Sequence, residues 1–234
     1  MKVHALIPAA GMGRRMGAAI NKQYLQLGER PILAHTLSFF EQHPRIDTIT
    51  VVIPETEIPF CRAEVVERFA LRKVSAVVAG GAERQDSVRN GLAVLEGEAD
   101  NDLVLIHDGV RPLLDQESLE RLIENVTRTG ACLLGVPAKD TIKEVADGKV
   151  VATPERERLW LAQTHQAFRL GLIREAHQRA YTEGVRATDD AMLAEWAGHS
   201  VAMVMGSYRN IKITTPEDLI VAEAWLKTDE GSGL

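Results

Sequence analysis

The sequence predicts an α/β protein: a Rossmann-like, mainly parallel sheet with helices on both faces, plus one protruding β-hairpin arm. Two observations carry this. Short aliphatic and β-branched runs alternate with amphipathic stretches from the first residues onward, and the runs are apolar at consecutive positions, as strands covered on both faces must be. The rhythm breaks once, at 139–157, where Asp147-Gly148 joins two short runs and reads as a hairpin turn.

Taken in order, 3–7 is a buried strand and 32–40 a helix with Leu33, Leu37 and Phe40 on one side. Residues 48–53 form a strand closed by Pro54, 65–71 finish a helix, and 74–78 form a strand stopped by Gly80-Gly81. Residues 84–95 carry Val88, Leu92 and Leu95 at helical spacing, and 103–106 are a fourth strand. Asp115 caps a helix whose Leu119, Leu122, Ile123 and Val126 make an i, i+3, i+4, i+7 stripe. A strand at 133–136 precedes the hairpin, whose strands are 141–145 and 149–152. Thr164 and His165 fall in a loop, and helices follow at 171–181 and 189–197, the second capped by Thr188, with strands at 201–205 and 211–214. Thr215-Pro216-Glu217-Asp218 opens a last helix, with a capping hydroxyl, a proline at the first helical position and carboxylates in the first turn. Residues 229–234 read as a disordered tail. One domain spans 1–228 and includes the arm at 139–157.

The chain has 234 residues, 33 acidic and 27 basic, for a net charge of −6, so it is no basic nucleic-acid coat. No run approaches about 18 apolar residues, which argues against a membrane span. Cys61 and Cys132 belong to no Cys-x-x-Cys pair, and the histidines form no metal pattern, so neither a disulfide framework nor structural zinc is expected. The expected setting is reducing and cytoplasmic.

The sharpest motif is PAAGMGRRMG, residues 8–17, directly after the first strand. Small residues let backbone turn closely about a ligand, and amides ahead of a helix offer donors to phosphate. No Gly-Lys-Ser/Thr closes a Walker loop, and the glycine spacing is one residue too long for the dinucleotide fingerprint. The pair Arg14-Arg15 with Lys22 suits a triphosphate whose charge changes during reaction; a solvated surface turn is the plainer alternative. GGAERQDS at 80–87 and HDGVRP at 107–112 each follow a strand at the edge where such sheets bind ligands, and Asp108 is placed to hold Mg²⁺ on a nucleotide phosphate. Lys212 lies in a late apolar strand, where it either serves the site or snorkels from an edge.

PAAGMGRRM with NKQY, then GGAERQDSV, HDGVRP, KDTIK, TDD and NIKIT, resembles the 2-C-methyl-D-erythritol 4-phosphate cytidylyltransferase family over nearly the whole chain. The resemblance implies an enzyme of non-mevalonate isoprenoid synthesis that joins CTP and methylerythritol phosphate with release of pyrophosphate. It implies that Arg15 and Lys22 stabilise the triphosphate and Lys212 the α-phosphate, with a divalent cation, Mg²⁺, near Asp108. It assigns the CTP wall to Pro8, Ala9, Ala10, Gly11 and Gly13, base recognition to Gly81, Ala82 and Ser87, and a further CTP contact to Asp108. Family members often carry an acidic residue where this chain has Ala82, which matters only if a side chain reads the base. Methylerythritol phosphate would be held by Asp108, Arg111, Thr141, Arg156 and Thr164, with Arg158 an alternative to Arg156. In the family the arm crosses a two-fold axis, which implies a homodimer whose Thr141 and Arg156 serve the neighbouring site. The rivals are a ribitol-5-phosphate cytidylyltransferase, a non-catalytic nucleotide-binding domain and, more remotely, a dinucleotide-dependent oxidoreductase.

Overall fold

The computed structural model describes residues 1–11 and 21–231, with side chains through residue 228. In chain order the elements are β1 (Val3–Pro8), β2 (Gln26–Leu27), β3 (Arg30–Pro31), α1 (Ile32–Gln42), β4 (Thr48–Ile53), α2 (Ile58–Cys61, continued as a π-helix over Arg62–Glu67), β5 (Val74–Ala79) and α3 (Arg84–Ala93). There follow β6 (Leu103–Ile106), α4 (Gln116–Thr129), β7 (Ala131–Pro137), β8 (Glu144–Ala146), β9 (Lys149–Ala152) and β10 (Trp160–Arg169). The chain ends with α5 (Leu170–Glu183), α6 (Asp190–Trp196), β11 (Ala202–Met205) and α7 (Pro216–Gly231).

Seven strands form one sheet in the order β11-β7-β10-β6-β1-β4-β5. All pairings are parallel except those of β10, which runs antiparallel to both β6 and β7. From β1 the chain steps outward to β4 and β5, then crosses back to place β6 on the other side of β1. That reversal opens a crevice at the carboxyl ends of β1 and β6, the place where open α/β sheets bind ligands.

Strand apolarity on both faces has the expected consequence. Ala5 and Ile7 of β1 pack with α1, α2 and α4, whereas Leu6 packs with α3, α5 and α6 on the opposite face. The α4 stripe of Leu119, Leu122, Ile123 and Val126 is wholly buried, worth about 1.5–3 kcal/mol per side chain as an upper bound. Asp115 caps this helix, its Oδ1 accepting from Ser118 N at 2.7 Å, and Gly130 ends it at φ 82°. A smaller cluster of Leu27, Ile32, Val110, Ile213 and Ala222 fastens α7 beneath the crevice.

Several sequence expectations shift. The second helix, over 58–67, ends at 67 rather than 71, and the chain leaves it through Ala70 at φ 52°. Asp189, not Thr188, caps α6, accepting from Met192 N at 2.9 Å. Residues 211–214 are not a sheet strand but a connector, tied by one bond from Ile213 N to Val110 O at 2.9 Å. Helix α7 continues through Gly231, into the segment expected to be a tail. Strand β10 was not expected, and it holds Thr164 and His165, which the sequence placed in a loop. The hairpin is present, with its first strand over 144–146 rather than 141–145: Asp147 and Gly148 turn with φ 49° and 74°, both positive as a two-residue I′ hairpin requires, and every residue of β8 and β9 is exposed. None of the described helices is long and apolar enough to cross a membrane, and both cysteines are free and buried.

Candidate active site

A cleft of about 480 Å³ lies over the carboxyl ends of β1, β4, β5 and β6. Two short loops make its small-residue wall. Ala9 N donates to Val52 O at 2.7 Å and Gly80 N to Ile53 O at 2.8 Å, so each loop continues the ladder of the strand before it. The loops meet at a point where only glycine fits: a Cβ on Gly80 would stand 2.5 Å from the Ala10 methyl and 2.8 Å from Ser87 Oγ. Ser87 is buried and fixes the second loop, its hydroxyl accepting from Gly81 N at 3.0 Å and donating to Glu83 O at 3.1 Å. One lone pair of that oxygen remains for a ligand donor.

The charged end of the cleft is built around Asp108, just after β6 and 6% exposed. Arg84 Nε lies 3.2 Å from its Oδ1, and Lys212 Nζ lies 2.7 Å from Oδ2, with Arg111 Nε 3.9 Å from the same oxygen. Burial alone would raise the Asp108 carboxyl, but Arg84, Lys212 and Arg111 outweigh it and hold the group well below the usual carboxylate range. Asp108 is therefore ionised at any physiological pH. Side-chain bonds to backbone carbonyls lock the loops that carry these groups: Arg111 Nη1 donates to Asn210 O at 2.6 Å, and Asn210 Nδ2 donates to Thr164 O at 2.6 Å. Behind them the rings of His107 and His165 lie 4.2 Å apart, tilted by 40° and both buried; burial pulls His107 down to about 3 and His165 well below its usual value, so both are neutral.

The residues expected to form the site separate into four groups. Pro8, Ala9, Ala10, Gly11, Lys22, Gly81, Ala82, Ser87, Asp108 and Lys212 all line the cleft. Gly13, Arg14 and Arg15 lie outside the described residues. Thr164 is buried and does not line the cleft; its hydroxyl accepts from Asp108 N at 3.2 Å, so it supports the carboxylate's backbone rather than presenting itself to a ligand. Arg111 likewise stands behind Asp108. Thr141, Arg156 and Arg158 are exposed on or beside the arm, Arg156 Nη1 donating to Lys139 O at 3.0 Å, and none lines this chain's cleft.

Sequence reasoning missed Arg84 and its partner Asp190. Arg84 lines the cleft and bridges Asp108 to Asp190, whose Oδ2 lies 2.7 Å from Nη1. Both residues stand inside recognisable motifs, GGAERQDSV and TDD, but no local pattern pairs positions 106 apart.

Asp108 is also the residue to test as a metal ligand. It is a hard oxygen donor, and the described cleft lining contains no thiol or imidazole, which suits an ion that takes its other ligands from phosphate and water. A different group of potential ligands, His4, Glu98 and Asp102, lies at the amino ends of β1 and β6. There the Lys2 ammonium already pairs with Glu98 at 2.8 Å, and Asp102 accepts from the Lys2 and Ala99 amides.

The model of the 2-C-methyl-D-erythritol 4-phosphate cytidylyltransferase family matches residues 3–228. Enzymes of that name from Syntrophotalea carbinolica and Geobacter metallireducens are each 59% identical to this chain over 228 residues, which is 97% of this chain and 97% and 98% of theirs. Among solved structures, the cytidylyltransferase of Francisella tularensis aligns with a TM-score of 0.83 at 35% identity, over 96% of this chain and 99% of the other. The 4-diphosphocytidyl-2C-methyl-D-erythritol synthase of Anaerococcus prevotii aligns at 0.84 and 33%, over 97% and 96%. With a seven-stranded sheet, a small-residue cleft and cations gathered about Asp108 in place, the match over nearly the full chain has one meaning: the protein belongs to the 2-C-methyl-D-erythritol 4-phosphate cytidylyltransferase family.

Proposed function

We propose that the chain transfers the cytidylyl group of CTP to methylerythritol phosphate, giving the cytidine diphosphate derivative and pyrophosphate. A phosphate oxygen of the acceptor forms the new bond to the α-phosphorus, the bond from that phosphorus to the bridging oxygen breaks, and pyrophosphate leaves with the electron pair. Two anions must approach in line, so positioning and charge compensation carry the catalysis and no covalent protein intermediate is needed. The observation that best supports this reading is Lys212 and Arg84 converging on buried Asp108 at the end of a cleft whose opposite wall is small and flat.

Within this reading the small wall admits a pyrimidine ring, the Gly81 and Ala82 carbonyls accept from its amino group, and Ser87 bonds the ring edge. Uracil offers a carbonyl there, leaving those acceptors unpaired, which is how CTP is preferred. Lys22 and Arg15 stabilise the triphosphate, and Lys212 leaves Asp108 for the α-phosphate as negative charge builds. Asp108 would hold Mg²⁺ together with the nucleotide phosphates; bound there, the ion neutralises charge on the triphosphate and its leaving group.

The acceptor lies against Asp108, with Arg111 supporting that carboxylate from behind, and Thr141 and Arg156 reach it from a second chain. Exposed apolar residues on and beside the arm, Val145, Val150, Val151 and Leu161, support a symmetric dimer, because such side chains have no core of their own. Pyrophosphate release with CTP and either methylerythritol phosphate or ribitol phosphate tests the assignment. Turnover with the first is expected; turnover confined to the second would refute it.

A further inference from the structure

We infer that Arg84, anchored by Asp190 and through it by His177, is a positioning residue for the acceptor site, fixing Asp108 by one carboxylate oxygen so that the other stays turned toward Lys212. The inference rests on the functional reading above, since it gives Asp108 a substrate to meet.

Four ionisable groups, three on helices and one at a strand end, form one unbroken line. His177 Nε2 on α5 lies 3.0 Å from Asp190 Oδ1 on α6; Asp190 Oδ2 lies 2.7 Å from Arg84 Nη1 on α3; Arg84 Nε lies 3.2 Å from Asp108 Oδ1. His177 and Asp190 are each 1% exposed, and neither borders the cleft. Taking such charges out of water costs stability that an apolar core would not forfeit, so a buried ion chain ending at a cleft calls for a reason other than stability.

The geometry supplies that reason. A guanidinium free to turn would meet Asp108 with two parallel bonds and occupy both oxygens, the preferred Arg–carboxylate arrangement. By holding Nη1, Asp190 sets the orientation of the guanidinium; in that orientation Arg84 meets Asp108 through Nε alone, and Oδ2 is left to Lys212 at 2.7 Å. The anchor is itself held. Gln166 of β10 accepts from the Asp190 and Ala191 amides, both at 3.0 Å, and donates to Asp189 at 2.8 Å. At the other end Gln85 donates to Val185 O and accepts from Ala187 N, both at 3.0 Å, locking the start of α3 to the segment before α6. Arg84 Nη2, buried with no hydrogen-bond partner, remains as a donor in a residue that lines the cleft.

The test measures Asp108 directly and through turnover in the full-length chain, comparing wild type with Arg84→Gln, Arg84→Lys and Asp190→Asn. Carbon-13 NMR of labelled aspartate carboxyls, with Asp108 assigned by Asp108→Asn, follows its titration without substrate. The groups acting on it are Arg84 from α3, Arg111 in its own loop, Lys212 from the connector before α7, Lys22 across the cleft, neutral His107 beside it, the Thr164 hydroxyl from β10, and Asp190 behind Arg84. Removing the Arg84 charge should raise the Asp108 midpoint, so the acid limb of kcat/KM moves to higher pH. Misplacing the carboxylate should lower kcat/KM for methylerythritol phosphate by about 10²-fold, with KM for CTP changed less than about threefold. Arg84→Lys, which keeps the charge but lacks the rigid planar fork that fixes Nε on Asp108 and Nη1 on Asp190, should hold the midpoint near wild type while still losing kcat/KM. If Arg84→Gln does not fold, Arg84→Lys and Asp190→Asn decide the matter. A wild-type midpoint and wild-type kcat/KM in Arg84→Gln, or in both of the conservative variants, would overturn the inference. Wild-type enzyme inactive on methylerythritol phosphate would instead overturn the functional reading, and the carboxyl titration would still judge the Arg84 anchor.

Discussion

A methyl group added at Gly80 probes the cleft wall without touching a charge. Its Cβ would stand 2.5 Å from the Ala10 methyl and 2.8 Å from Ser87 Oγ, where an ordinary contact for such an atom begins at 3.4 Å. The Ala10 methyl is fixed to its backbone and cannot rotate aside, and Ser87 is held by Gly81 N and Glu83 O. Relief therefore needs a backbone retreat approaching 1 Å (on the order of the overlap) in one of the two loops that wall the cleft, a cost of about 1–3 kcal/mol by analogy with overpacked cores. In a chain of this size that lowers Tm by roughly 2–12 °C. If CTP holds the loops at their native separation, the same strain weakens its binding by about 5- to 150-fold. Thermal unfolding with and without CTP, together with calorimetric titration of CTP, reads both effects. Gly97→Ala is the control, because Gly97 is exposed, a methyl there would meet nothing within 4 Å, and the position needs no positive φ. Gly80→Ala with the Tm and CTP affinity of wild type would refute the argument that the two loops close against each other at this point.

Lys212→Met keeps the side-chain length and removes the ammonium; turnover should fall by about 10²- to 10³-fold in steady-state assays, with CTP affinity changed far less. Mixing Arg156→Ala and Lys22→Ala chains should restore about a quarter of wild-type activity, since half of randomly paired dimers are mixed and each has one intact site if the arm is exchanged; no recovery would mean sites built within one chain. Stability should be retained above about pH 6.5 and fall progressively from there toward about pH 3, because His107 and His165, neutral when folded, gain protons on unfolding first. Below about pH 4 the depressed carboxyls of Asp108 and Asp190 add to the loss, as protonation of the unfolded chain overtakes that of the native one. Urea midpoints across pH check the window, and His165→Phe, which cannot titrate, should flatten its upper part.

Legibility in the sequence followed the kind of interaction involved. Strands β1, β4 and β6 were plain because their side chains are almost all apolar, and α4 was plain because its stripe and cap are local. Strand β10 was hidden because its centre is Gln163, Thr164, His165 and Gln166, all buried, and polar residues at core positions imitate a loop. Their polarity has a use: Gln166 holds the start of α6, Thr164 supports Asp108, and Gln163 Nε2 donates to Ser207 O at 2.8 Å. The connector at 211–214 has the composition of a strand, but no described strand lies alongside to complete a ladder, and composition does not report neighbours. The arm was legible from one dipeptide, whereas the Arg84–Asp190 pair exists only because β6 crosses to the far side of β1 and brings α3 and α6 to the same edge.

The same topology explains how an acidic chain offers a cleft to a triphosphate. The net charge is −6, yet the described residues at this edge include Lys22, Arg84, Arg111 and Lys212 against Asp108 and Asp190. With Glu83, which also lines the cleft, four positive and three negative charges leave a local excess of +1, and Asp108 and Asp190 are both engaged by these cations. Such a site is not a loose basic patch. Arg84, Arg111 and Lys212 are each held in place by a carboxylate or a carbonyl before substrate arrives, so little of their side-chain entropy remains to be lost on binding. Lys212 is the informative case, because its partner Asp108 is already shared with Arg84. When the α-phosphate approaches, Lys212 can leave Asp108 without stranding a buried charge, since Arg84 and Arg111 stay behind to pair it. Without Arg84 that departure would expose Asp108 to the incoming anion with one cation fewer, and repulsion between carboxylate and phosphate would oppose the reaction. The cost of losing Arg84 should accordingly grow as the reacting phosphates draw together, and appear in kcat/KM for the acceptor before it appears in the binding of CTP alone.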